Sequence, residues 1–132
     1  MQYKSQGSFY FNDIHCATVD HCIAVAEGHN VPQPGAHIFV TSDGGASWNN
    51  TWSMSGTGPS LMGVRDLDGK EGWAVGGNGF SALFLHTTDG GLTWTNEPVA
   101  GLHCLGVDFA SASNGYAICL NQVHQTQAAV FK

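Results

Sequence analysis

The sequence predicts an all-β protein built from a repeated unit, on three observations. An octapeptide occurs twice, as Thr41-Ser42-Asp43-Gly44-Gly45-Ala46-Ser47-Trp48 and as Thr87-Thr88-Asp89-Gly90-Gly91-Leu92-Thr93-Trp94, with the two aspartates and the two tryptophans each 46 residues apart. Short apolar runs of strand length alternate with clusters of turn residues along the whole chain. The 132 residues include 18 glycines and 11% aromatics but only 11% charged side chains, a profile that suits many short strands joined by tight turns in one modest domain.

Taken in order, the first unit spans about residues 8–52. Phe9 to Cys16 alternates loosely and reads as a first strand, Ala17 to His21 as a turn, and Cys22 to Ala26 as a second, more buried strand. Glu27 to Gly35 contains Pro32 and Pro34 and is too proline-rich to pair centrally. His37 to Val40 is the third strand, and Asn50 to Ser53 follows the octapeptide as an outer strand. The second unit, about 54–98, repeats this order with Leu61–Asp66, Gly72–Gly76, Ala82–Leu85 and Thr95–Glu97. The third, about 99–132, offers Leu102–Phe109, Tyr116–Leu120 and Ala128–Phe131, and Lys132 stands where a third octapeptide is expected to begin.

The octapeptide has the chemistry of a hairpin turn. Its glycines take positive φ at little steric cost. Asp43 and Asp89 can accept hydrogen bonds from turn N–H groups that the strand ladder no longer serves. Ser47 or Thr93 resumes the extended chain, and Trp48 or Trp94 covers the hairpin with a large apolar ring.

The pattern Thr41/Thr87, Asp43/Asp89, Gly45/Gly91, Ser47/Thr93, Trp48/Trp94 resembles the Asp-box of the bacterial-neuraminidase (BNR) repeat, found in sialidases, sortilin-type receptors, xyloglucanases and photosystem II assembly factors. The resemblance implies a β-propeller with two complete four-stranded blades and a partial third, the Asp-box joining strands three and four of each blade. Propellers close with about four to eight blades. The expectation is therefore a piece of a larger propeller, a ring of several copies, or an open stack, with residues 1–7 as one candidate donor of a missing strand.

Four cysteines fall in two local pairs, Cys16 with Cys22 and Cys104 with Cys119, each straddling the turn between strands one and two of its unit, where the two positions can lie opposite each other. The Cys-x5-Cys-x-Ala-Val run also resembles secreted bacterial relatives of the BNR propellers. Two intra-blade disulfides and an oxidising compartment follow. The competing reading takes the dipeptides His15-Cys16, His21-Cys22 and His103-Cys104 as zinc ligands. Adjacent strand residues point to opposite faces, which weighs against it, and no metal is expected. His29, His37, His86 and His124 read as solvated or loop histidines. Residues Asp66 to Glu71 lack most of a calcium loop's spacing and read as a hairpin turn. Asn49-Asn50-Thr51 is an acceptor sequon, making Asn49 a candidate for glycosylation in a eukaryotic secretory pathway.

A formal charge of −6 with only Lys4, Arg65, Lys70 and Lys132 as bases argues against nucleic acid and anionic membrane surfaces as partners. No apolar stretch approaches membrane-span length. Residues 1–7 lack the apolar core of a signal peptide, so either a leader is removed or the chain is part of something larger. Sialidases use three arginines and a tyrosine–glutamate pair, whereas this chain has one arginine and three tyrosines with no evident glutamate partner. Asp13, Asp20, Asp66, Asp68 and Asp108 are not paired by the sequence as glycosidase carboxylates. The expected role is therefore a non-catalytic, extracytoplasmic module without cofactor that binds protein or glycan through loops and aromatics such as Trp52, Trp73 or Tyr116. The alternatives are a self-assembling structural subunit, or part of a glycoside hydrolase or photosystem assembly propeller.

Overall fold

The computed structural model of the chain describes residues 9–28 and 33–121, and the backbone of residues 128–131. Three antiparallel sheets follow one another along the chain. The first is β1 (Phe9–Cys16), β2 (Cys22–Gly28), β3 (Gly35–Thr41) and β4 (Asn49–Ser55), paired in sequence order. The second is β5 (Ser60–Asp66), β6 (Gly72–Gly77) and β7 (Ser81–Thr87), with its outer position filled by two short pieces, β8 (Thr95–Asn96) and β9 (Val99–Ala100), both on β7. The third is β10 (Leu102–Ser111), β11 (Asn114–Asn121) and β12 (Ala128–Phe131). Residues 1–7, proposed above as a strand donor, and His29, Pro32 and His124 lie outside the described residues.

The strands β2, β3, β10 and β11 run longer than the sequence reading gave them, with Glu27 and Gly28 of the expected loop paired to Ala36 and Gly35, and both unit boundaries shift. Strand β4 runs to Ser55, and Val99–Ala100 belongs to the second sheet rather than the third unit. The outer strand of that sheet breaks at Glu97-Pro98, where proline has no N–H to give the ladder.

The sheets pack face to face because their middle strands are apolar on both sides. Ile23, Val25, Ile38 and Val40 of the first sheet meet Leu61, Val64, Ala74, Leu83 and Leu85 of the second in one buried cluster, with Trp52, Met54 and Trp94 at its margin. The opposite face of the second sheet, through Val75 and Ala82, packs on Cys104, Val107, Ala117 and Cys119 of the third, with Trp73, Phe84 and Phe109 alongside. Among the described residues, the second sheet alone has another sheet packed on each face.

The inner strands β1, β5 and β10 each carry a register shift at the same place, between Phe11 and Asp13, Leu61 and Gly63, and Cys104 and Gly106. Such bulges sharpen local twist and re-aim side chains. At this level Asn12 Nδ2 donates to Leu61 O at 2.8 Å, and Val64 N donates to Asp13 Oδ2 at 3.0 Å, joining the first two sheets. The second and third approach through glycine: a Cβ on Gly63 would stand 3.0 Å from Gly106 Cα.

Both cysteine pairs are disulfides between opposed residues of β1 and β2 and of β10 and β11. Cys104–Cys119 spans 15 residues and Cys16–Cys22 spans 6. Closing a loop of about 15 residues restricts the unfolded chain by about 3 kcal/mol, and a shorter loop contributes less. Replacing Cys104 and Cys119 by alanine should therefore lower stability more than replacing Cys16 and Cys22, measured by urea unfolding of the two double variants.

Candidate functional site

The two octapeptide turns share one set of hydrogen bonds among their threonine, aspartate, glycine and Ser/Thr residues. Thr41 Oγ1 donates to Asp43 Oδ1 at 2.8 Å and accepts from Gly45 N at 2.9 Å. Asp43 in turn accepts from Ser47 N at 2.9 Å and from Ser47 Oγ at 2.6 Å. Thr87, Asp89, Gly91 and Thr93 repeat this at 2.8, 2.9, 2.9 and 2.6 Å. Gly44, Gly45, Gly90 and Gly91 all have φ between 68° and 84°, the region where a side chain is strained. The threonine hydroxyl at the head of the turn and the Ser/Thr hydroxyl at its tail are partners that the sequence reading left unused.

Both aspartates are solvent-exposed, yet the Ser47 and Thr93 side chains, then their N–H groups and the Thr41 and Thr87 hydroxyls, hold the carboxyls down from 3.8 to about 2. They are structural acceptors, spent on the turn.

Between the sheets lie two polar joints. His21 Nδ1 meets the buried Asp66 carboxylate at 2.6 Å and His21 Nε2 meets Gly90 O at 3.1 Å, so the first hairpin is keyed to the second octapeptide. Asp66 also accepts from Gly69 N, and Asp68 from Lys70 N and Glu71 N, which makes residues 66–71 a tight turn. On the inner strands, Arg65 Nε donates to Asp108 Oδ1 at 2.9 Å and Arg65 lies 3.6 Å from Asp13, so one cation on β5 faces carboxylates on β1 and β10. Asp108 is held below the usual carboxylate range by the Arg65 hydrogen bond first. With all four cysteines in disulfides, the His-Cys dipeptides have no thiolate to offer a metal.

Two histidines read as solvated are not. His37 is buried in β3, with Nε2 2.8 Å from Gln33 O and Nδ1 2.9 Å from the Asn50 side-chain amide. His86 stacks on Trp73, ring centroids 4.0 Å apart and planes 12° from parallel, and reaches Glu71 at 3.3 Å. Asn49 is exposed at the start of β4, and Trp52 is half-buried at the first interface.

The remaining feature is a cleft of about 600 Å³ between the second and third sheets. Its walls include Trp73, Phe84 and Val99 from the second sheet and Phe109 from the third, with Glu71 and Glu97 at the margin. It is open, aromatic and acidic. A smaller groove of about 540 Å³ lies on the uncovered face of the first sheet, between Phe11, Phe39 and Trp48.

No family model matches the chain. Over 62 residues, 44% of the chain, it is 42% identical to the photosystem II assembly lipoprotein Ycf48 of Synechococcus sp. (strain CC9902). That match spans 17% of the relative's length. The solved structure of Ycf48 bound to D1 peptide superposes with a TM-score of 0.63 at 18% identity, over 95% of this chain and 40% of that one. The fold is that of a β-propeller, and the three sheets are its blades. The chain spans less than half of the propeller it matches.

Each turn carboxyl is ionised in the folded chain down to about pH 2 and in the unfolded chain down to about 3.8. The folded state thus binds fewer protons in between, and the stabilisation is complete above about pH 4 and lost as pH falls through about 2. In unfolding curves from pH 5 to 2, stability should fall with acidity, and the Asp43→Asn/Asp89→Asn variant should be less stable at pH 5 and show a shallower fall.

Proposed function

We propose that this chain is a non-catalytic propeller module that binds a polypeptide segment in the cleft between its second and third blades. The carrying observation is the cleft itself, an aromatic wall of Trp73, Phe84 and Phe109 in an open hollow of about 600 Å³. Large rings in a partly dry recess supply most of the contact energy in protein recognition. The relative's structure holds a peptide of D1, which supports a polypeptide as the ligand class. The likeness of the octapeptides to the Asp-box supports a scaffold rather than a catalytic use of Asp43 and Asp89, whose carboxylates are committed to their turns. Two disulfides support a secreted or cell-surface location, where Asn49 would be open to glycosylation.

Selection of a displayed random-peptide library on the folded chain should enrich apolar and aromatic segments whose affinity drops roughly tenfold or more on the Trp73→Ala chain. Selected peptides that bind that variant as tightly would overturn the reading, as would ligands found only on a glycan array.

A second reading, assembly of copies, is favoured by one observation. By register, Phe11 and Ile14 on the uncovered face of the first blade correspond to Leu61 and Val64, which are fully buried against that blade's other side. Ile14 is 55% exposed, and Ile118 on the third blade is also 55% exposed. Light scattering over a concentration series should show a mass above 13.9 kDa that falls when Phe11 and Ile14 are replaced by serine. A constant 13.9 kDa would sink this second reading.

A further inference from the structure

The chain contains the dipeptide Asn-Gly twice, as Asn78-Gly79-Phe80 and as Asn114-Gly115-Tyr116. An asparagine before glycine is open to attack by its own main chain, because no side chain shields the glycine nitrogen and the glycine backbone turns freely. With an aromatic residue next in both, the two sites have nearly the same covalent chemistry. The fold treats them differently.

Asn78-Gly79 lies in the turn between β6 and β7. Asn78 Oδ1 accepts from Phe80 N at 3.0 Å, from Ser81 N at 2.9 Å and from Ser81 Oγ at 3.3 Å. Donors gathered on a carbonyl oxygen stabilise the negative charge it gains when its carbon is attacked. The amide nitrogen, which must leave, takes no part in these bonds. Gly79 is exposed with a φ of 90°, and a Cβ there would meet nothing within 4 Å. Its backbone has room to rotate toward Cγ of Asn78.

Asn114-Gly115 instead begins β11, with Asn114 opposite Ser111 and Gly115 opposite Phe109 in the ladder to β10. Here the leaving nitrogen is the atom that is held: Asn114 Nδ2 donates to Ser111 Oγ at 3.0 Å and to Ser113 Oγ at 3.5 Å. The Gly115 backbone is pressed on the Phe109 ring, which a Cβ at that position would strike. Rotation is blocked.

We propose that Asn78 is a site of spontaneous deamidation in the folded protein, promoted by its turn, and that the strand ladder spares Asn114. The Gly79 nitrogen loses its proton to hydroxide, bonds to Cγ of Asn78 and closes a succinimide ring. The Cγ–Nδ2 bond breaks, and the nitrogen leaves as ammonia with a proton taken from water. A further water opens the ring at either carbonyl, leaving aspartate or isoaspartate at position 78. The isoaspartate form carries the main chain through the former side chain and so lengthens the turn. That turn already lies against the β4–β5 connection, where a Cβ on Gly58 would stand 2.9 Å from Asn78 O.

The test ages the purified chain in mildly alkaline buffer, once folded and once unfolded in urea with its disulfides reduced. Peptide mapping by mass spectrometry follows each asparagine, and methyl transfer from S-adenosylmethionine by an isoaspartyl methyltransferase reads isoaspartate independently. In the folded chain Asn78 should convert roughly tenfold or more faster than Asn114, and faster still as pH rises. Asn78 should react at least as fast folded as unfolded, and in the unfolded chain the two rates should converge. An intact Asn78, equal rates in the folded chain, a slower Asn78 folded than unfolded, or a difference that survives unfolding would each overturn the proposal.

Discussion

A sheet whose middle strands are apolar on both faces must be covered on both, and this constraint governs the chain. In β2 and β3 almost every residue is buried, whichever face it points to. Such a sheet has no wet side, in contrast to an amphipathic antiparallel sheet with one face in water. The second blade meets the requirement within the chain, between Leu61, Val64 and Leu85 on one face and Val75 and Ala82 on the other. On the outer face of the first sheet Phe9 and Trp48 lie over Ala24, Ala26 and Phe39, and among the described residues Phe11 and Ile14 stay exposed at that end and Ile118 and Leu120 at the other.

The second octapeptide serves that stacking as much as it serves its own turn. Each hairpin is fixed by a threonine hydroxyl and a carboxylate, and in the second the glycine Gly91 and the tryptophan Trp94 lie on the first blade, whereas Trp48 packs on its own sheet. Gly91 can lie on Val40 because it has no side chain. Through the His21–Gly90 contact the same turn also receives the preceding blade's first hairpin. Local turn chemistry and packing between blades are thus carried by one short segment.

Much of this was legible in the sequence. Phe9–Cys16 and Ala128–Phe131 stand in the structure with the bounds read from the residues, because alternation and turn signals act locally. The facing of Cys16 with Cys22 and of Cys104 with Cys119 follows from hairpins that are equally local. What escaped reading depends on residues far apart in sequence. His37 looked solvated because its partners, Gln33 O and the Asn50 amide, come together only when β3 and β4 pair. Arg65, the lone arginine, gains its two carboxylates from blades on either side. The cleft needed the stacking of blades before Trp73, Phe84 and Phe109 could be seen to share a wall. Pro98 was a signal in plain view, since a residue without an N–H breaks an outer strand.

The inner strands differ at one corresponding position, and the difference fixes the order of the blades. Asp13, Gly63 and Gly106 follow the same register shift in β1, β5 and β10. Asp13 reaches across to the backbone of β5, whereas Gly63 lets β10 come so close that even a methyl group would be crowded. A chain with its first two blades exchanged would aim a carboxylate at the Gly106 backbone and leave Val64 N without its acceptor. Copies of a repeat begin as interchangeable parts. Here one residue per copy tells them apart, so that the order of the blades is marked on the inner strands.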